Sequence, residues 1–228
     1  MNSYWKNHYD TIADKFADSP LKQVDRTING AEEGSIQIEL TIEAVKQALH
    51  LDEMDRIVDL GCGNGLITQG VASNVASVIG VDFSEKLIKH ARHQGAADNV
   101  QYVVGDVAAL APSFFASANK VYMIGAVQHL DSGDLSVLLR NLADAPSVEA
   151  IFIAGVPDAD RLGVYYDNEK KMTYHLEREA AGRPHIGTWW SQQQMQTLVE
   201  EVGLRARFLA LHAGLTSAYY RYDCLIER

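Results

Sequence analysis

From Arg56 to Gly70 the chain reads RIVDLGCGNGLITQG. Ile57, Val58 and Leu60 form an apolar run with Asp59 near its end, and the run breaks into glycines at alternate positions, Gly61, Gly63 and Gly65, before an amphipathic stretch begins. A short apolar run bounded this way is a buried strand, and the missing Cβ atoms of the turn let a ligand lie against the backbone. The helix that follows points its unbonded N–H groups at that ligand. Two familiar glycine motifs do not fit. A dinucleotide fingerprint, G-x-G-x-x-G, needs glycine where this chain has Leu66, and a phosphate-binding loop ends in Gly-Lys-Ser/Thr, which is missing here.

The segments on either side extend the pattern. Residues 3–17 place Trp5, Tyr9, Ile12, Ala13 and Phe16 at helical spacing, which predicts a cap helix. Pro20 opens a short helix or turn carrying Lys22, Gln23 and Arg26, and Asn29-Gly30 ends it. Ser35 is the expected cap of a helix running to about His50, with Ile38, Ile42, Val45 and Leu49 on one stripe. After the glycine turn, strands are expected through Asp82, through Asp106, from Lys120, and over residues 150–156, separated by helices that begin at Ser84 and after Asp131. These strands are short and nearly continuously apolar, as strands covered on both faces should be. Such alternation predicts a doubly wound, mostly parallel α/β sheet, Rossmann-like, with helices on both faces. Ser191 and Gln194 form a capping box before a helix stopped by Gly203, and residues 205–211 and 219–226 form a closing antiparallel pair, which makes seven strands with an antiparallel last one.

The 228 residues suit a single domain, 1–228, with residues 1–34 as a helical cap and 157–190 as a lid inserted within it, since long polar connections in such folds tend to be functional. At 47% hydrophobic and 22% charged the chain is an ordinary globular one. A net charge of −10 works against DNA or RNA as a partner. Cys62 and Cys224 form neither a disulfide framework nor a C-x-x-C pair, which suits a reducing cytoplasm. The first ten residues contain no basic-then-apolar signal region, and no apolar run approaches a membrane span. The histidines show no metal-ligand spacing, so no metal is expected.

The acidic-Leu-Gly-Cys-Gly-x-Gly turn resembles motif I of the class I S-adenosylmethionine (SAM) methyltransferases, and the resemblance runs from that motif through the closing hairpin. It implies SAM as cofactor and S-adenosylhomocysteine as product. Asp59 would meet the methionine amino group, and Gly61, Cys62, Gly63 and Gly65 would form the turn on which the cofactor packs, with Cys62 a small residue fitting the turn rather than a nucleophile. Asp82 would hold the ribose hydroxyls, an assignment that its position 21 residues beyond Gly61 also suits. Phe83 would lie against the adenine, Asp106 and the backbone of Val107 would meet the ring edge, and Gly125 would leave room beside the sulfonium.

Methyl transfer is an in-line displacement in which the protein mainly aligns the reactants and excludes water. A hydroxyl acceptor profits from a general base, whereas a carboxylate, phosphate or free amine needs little. His129, after the fourth strand, is the candidate base or acceptor-positioning residue, with a structural role as the alternative, and Gln128 beside it can orient a neighbour. Acceptor recognition is expected from Tyr9, Lys22 and Arg26 in the cap and from Arg183, His185, Trp189 and Trp190 in the connection. The two tryptophans either wall a pocket or anchor the following helix. Lys22, Arg26 and Arg183 either bind an anionic acceptor or stay solvated. The leading reading is a small-molecule O- or N-methyltransferase, monomeric or homodimeric. A protein or RNA methyltransferase and a non-catalytic SAM-binding regulator are the alternatives.

Overall fold

The computed structural model describes residues 3–95 and 97–228. In chain order it contains α1 (Ser3–Lys15), α2 (Pro20–Gln23), β1 (Thr27–Ile28), β2 (Ala31–Glu32), α3 (Ser35–Leu49), β3 (Arg56–Leu60), α4 (Leu66–Ala72), β4 (Ser77–Asp82), α5 (Glu85–His93), β5 (Val100–Val104), β6 (Lys120–Ile124), α6 (Ser132–Ala143), β7 (Ala150–Pro157), α7 (Leu162–Tyr165), α8 (Glu169–Ala180), α9 (Gln192–Glu200), β8 (Arg205–Ala210) and β9 (Arg221–Glu227). The main sheet has seven strands in the order β5-β4-β3-β6-β7-β9-β8. Strands β3 to β7 pair in parallel, whereas β9 pairs antiparallel with both β7 and β8, so the expected sheet is the observed one.

Both faces of the sheet are covered. Val45 and Leu49 of α3 and Ile67 and Val71 of α4 pack on one side with Ile57 and Tyr122. Leu135, Leu138, Leu139 and Leu142 of α6 join Met195 and Val199 of α9 on the other. The leucine spacing in α6 is the helical stripe that a sheet face requires. Because β4 and β6 flank β3 on opposite sides, the strand order reverses at β3, and the crevice beyond its carboxyl end is where ligands bind in such sheets.

Three local expectations are corrected. Asn29-Gly30 does not end a helix. Both residues have positive φ, 51° and 79°, and form the two-residue turn of the β1–β2 ribbon, the geometry that Asn-Gly favours in hairpins, so the cap is helix plus ribbon. Ser35 is the first residue of α3 rather than its cap; Gly34 holds that position without a side-chain bond. Strand β5 is an edge strand with Val104 exposed, not a strand covered on both faces, and it ends before Asp106. The connection after β7 contains α8, a helix of twelve residues that buries only His175, which is why its sequence carries so weak a stripe.

Candidate active site

The glycine turn is set by backbone bonds across the switch point. The N–H groups of Gly61 and Cys62 donate to the carbonyl of Val81, and that of Gly63 donates to Asp82 Oδ2 at 2.9 Å. The other Asp82 oxygen accepts from the N–H of Ser84, so one buried carboxylate ties the turn to the start of α5. A Cβ on Gly63, whose φ is +56°, would come within 2.8 Å of Val24 Cγ1, because the cap roofs the turn there. Asn64 bolts that roof down by donating from Nδ2 to the Pro20 carbonyl and to Gln23 Oε1, both at 2.8 Å. Its own Oδ1 is buried and has no partner among the described residues.

Asp59 lies at the end of β3, where its Oδ2 accepts from Thr68 Oγ1 at 2.6 Å and from the Tyr122 hydroxyl at 2.8 Å. Burial raises its carboxyl to about 7 against these two bonds, with the charge of Asp82 adding to the rise. Burial likewise raises Asp82 to about 6. The Cys62 thiol is pushed well above its ordinary value by burial, so it is no nucleophile at neutral pH.

The turn opens into a cavity of about 580 Å³, within the roughly 300–1,000 Å³ of small-ligand sites. Asp59, Gly61, Cys62, Gly63, Asp82, Phe83, Val107 and Gly125 line it. Gly65 stands just behind, capping α4 with φ +83°. Asp106 lies off the cavity wall, where its Oδ1 accepts from the N–H of Ala108 and caps a short 3₁₀ turn.

Over the cavity, α1 brings Tyr4, Trp5, His8 and Tyr9. Tyr9 Oη and His129 Nε2 share a hydrogen bond at 3.1 Å, and the Trp5 ring lies 4.2 Å from the imidazole, centroid to centroid. Burial, helped by the positive charges of Arg221 and His8, lowers His129 to about 3, so the imidazole is neutral at pH 7. Burial raises the Tyr9 hydroxyl as well, which keeps it protonated. Gln128 donates from Nε2 to the Gly125 carbonyl at 2.6 Å, holding the end of β6 in shape.

Of the expected acceptor contacts, Arg26 and His185 line the cavity, Arg26 in an ion pair with Glu33 at 3.4 Å. Lys22 does not; its ammonium lies over the Phe16 ring, because α2 turns that face away. Arg183 is exposed beyond the end of α8. Trp190 is core, 3% exposed, with its backbone N–H donating to the Pro157 carbonyl, so it anchors α9 rather than walling a pocket. Trp189 packs among Tyr165, Tyr166 and Tyr220 and faces a second cavity behind His129. Asn64, Arg178, Tyr220, Arg221 and Asp223 also line the main cavity, and residue patterns did not single them out. For Arg221 a signal existed. A strand antiparallel to its neighbours begins at the rim where they end.

The raised carboxyls set a pH dependence. A carboxyl whose folded pKa exceeds the unfolded value near 3.9 stabilises the fold below that value and loses this contribution as pH rises through the folded pKa. His129, with its lowered pKa, acts in the opposite sense below its unfolded value near 6.5. Between about pH 6.5 and 8 the Asp59 carboxyl therefore dominates, and the unliganded protein should lose about 1 kcal/mol, a few degrees in Tm. Calorimetric melts over that window test this. A flat profile, or one that Asp59→Asn leaves unchanged, contradicts it.

Sheet order, switch-point turn and strand-end acids together define the class I methyltransferase fold. Residues 57–146 match the family model described as a methyltransferase domain. The chain is 34% identical over 97 residues to malonyl-[acyl-carrier protein] O-methyltransferase of Erwinia pyrifoliae, covering 42% of this chain and 36% of that protein. It is 45% identical over 47 residues to a ubiquinone biosynthesis O-methyltransferase of Dechloromonas aromatica, covering 21% of this chain and 20% of that protein. The chain thus spans about a third or less of the length of these curated relatives. The structure of magnesium protoporphyrin IX methyltransferase from Synechocystis PCC 6803, with bound SAH, superposes with a TM-score of 0.64 at 18% identity, over 96% of this chain and 99% of that one, and shares the fold. No helix among the described residues is long and apolar enough to cross a membrane.

Proposed function

We propose that this chain is a SAM-dependent methyltransferase that moves a methyl group to an oxygen or nitrogen of a small molecule and leaves S-adenosylhomocysteine. The observation that carries the reading is the convergence, in one cavity, of the glycine turn and buried Asp82 with the Tyr9–His129 pair.

The residues fit the adenosyl compound. The Asp82 carboxylate, with each oxygen already held by one N–H, keeps lone pairs for the two ribose hydroxyls. Asn64 Oδ1, buried beside the turn, is an acceptor without a donor among the described residues. Phe83 and Val107 would flank the adenine with Asp106 near its edge, Asp59 would face the amino group, and Gly125 would leave the backbone clear beside the sulfonium. When bound, the cofactor supplies an electrophilic methyl group and needs no metal.

What remains for the protein is alignment and the exclusion of water. Trp5 and Tyr9 close the cavity over His129, which removes solvent from the reaction zone. A His129 held near 3 is a weak proton acceptor at neutral pH, so the imidazole serves to position the Tyr9 hydroxyl, and the pair presents a hydrogen bond to the acceptor heteroatom. Gln128 acts one step back, through the Gly125 carbonyl.

Incubation with methyl-labelled SAM and a small-molecule extract is expected to put label into small molecules. Label in protein or RNA, or binding without transfer, favours the polymer enzyme or the regulator and retires this reading. Tyr9→Phe is expected to lower kcat/KM about five- to tenfold, one hydrogen bond's worth, and to leave S-adenosylhomocysteine affinity unchanged. Unaltered steady-state kinetics would show the pair to be architectural.

A further inference from the structure

We propose that the acceptor carries an oxyanion, of the carboxylate or phosphoryl type, and that Arg221 holds it; this deepens the methyltransferase reading and rests on it. Arg221 opens β9 opposite Pro157, at the rim where the parallel strands end. Its guanidinium lines the cavity, 5.1 Å from the centroid of the Tyr220 ring. It stands beside the end of β6, since a Cβ built on Gly155 would meet both Arg221 Nη1 and the Gly125 nitrogen at 3.9 Å.

The guanidinium is used on one side only. Nη1 donates to the Gly155 carbonyl and, at 3.4 Å, to Gln128 Oε1. Among the described residues nothing bonds Nε–H or Nη2, and no carboxylate lies within ion-pair distance. Those are the donors of the fork that matches a carboxylate or phosphoryl group with two parallel hydrogen bonds.

The carboxylates of the same cavity are all committed elsewhere. Asp25 is bound to His8 at 2.7 Å, Glu33 to Arg26, Asp59 to Thr68 and Tyr122, Asp82 to Gly63 and Ser84, and Asp223 to the N–H of Gly155. Burial lowers the Arg26 guanidinium against its ion pair with Glu33, and the positive charge of Arg221 adds a little to the fall, so a second cation stands on the same side of the cavity. Arg178 lines the cavity as well, with Nη2 donating to the Tyr4 hydroxyl and a buried Nε that has no partner among the described residues. In a chain of net charge −10, an arginine fork that no carboxylate satisfies, set in a recess with two more arginines, is a receptor for an anion supplied from outside. A neutral analogue would leave the fork without its acceptor, and this is how such a site rejects isosteres.

Calorimetry on the protein saturated with S-adenosylhomocysteine tests the proposal with benzoate, its neutral isostere benzamide, and phenylphosphonate. At least one of the two anions is expected to bind about tenfold or more tightly than benzamide, and which of them does so separates the carboxylate from the phosphoryl source. Arg221→Gln should erase the preference while leaving S-adenosylhomocysteine affinity unchanged, and Arg221→Lys, which keeps the charge but not the fork, should retain part of it. Equal binding of benzoate, phenylphosphonate and benzamide, no binding by either anion, or a preference that survives Arg221→Gln overturns the proposal. Failure of the methyltransferase reading looks different: no heat with S-adenosylhomocysteine, whatever the anions do.

Discussion

Replacing Asp82 with alanine is expected to weaken S-adenosylhomocysteine binding by about 100- to 1,000-fold, the value of two charge-assisted hydrogen bonds to ribose hydroxyls. The effect is large because the carboxylate does two things at once. It faces the cavity, and through Gly63 and Ser84 it keeps the glycine turn and the start of α5 in register. Asp82→Asn, which keeps one acceptor oxygen, should fall between wild type and alanine. Titration calorimetry reads the affinity, and a thermal melt of the same variants separates lost contacts from lost fold. Affinity within threefold of wild type for Asp82→Ala would leave the carboxylate no role in holding a ligand.

Gly65→Ala is expected to destabilise the protein by about 2–4 kcal/mol, or about 5–15 °C in Tm. Part of this is the left-handed backbone, φ +83°, which costs an L-residue about 1–2 kcal/mol. The rest is steric. The added Cβ would overlap the Tyr102 hydroxyl, which accepts from Gln69 Nε2 at 2.9 Å, so the ring must shift and that bond must break. Gly203→Ala isolates the two parts, since Gly203 has φ +78° with nothing within 4 Å of the added atom, and should lose only about 1–2 kcal/mol. Equal losses at the two positions would mean that the Tyr102 contact relaxes without strain.

The sheet was legible because each of its signals is short-range. The apolar run before Gly61 is a strand whatever surrounds it, and Asp131, Ser84 and the Ser191–Gln194 box cap their helices with bonds that span only a few residues. The same holds for Asp82, which had to stand at the carboxyl end of its strand. Helix α8 was not legible, because a helix that buries one residue leaves almost no apolar period to read.

Charged side chains at the cavity obeyed no such local rule. Lys22, over the Phe16 ring, and the exposed Arg183 occupy segments that frame the cavity and do not line it, while Arg178, five residues earlier and within α8, and Arg221, on a strand read as mere closure, do. Residue order alone therefore determined the elements, the parallel sheet and the turn at its switch point, since hydrogen-bonding patterns and period-dependent burial are decided within a few residues of chain. Only the tertiary structure decided that Tyr9 meets His129 across 120 positions and that an arginine of the last strand lines the same cavity. Where a side chain points depends on the rotation and docking of whole elements, and those are set by packing between residues far apart in the chain.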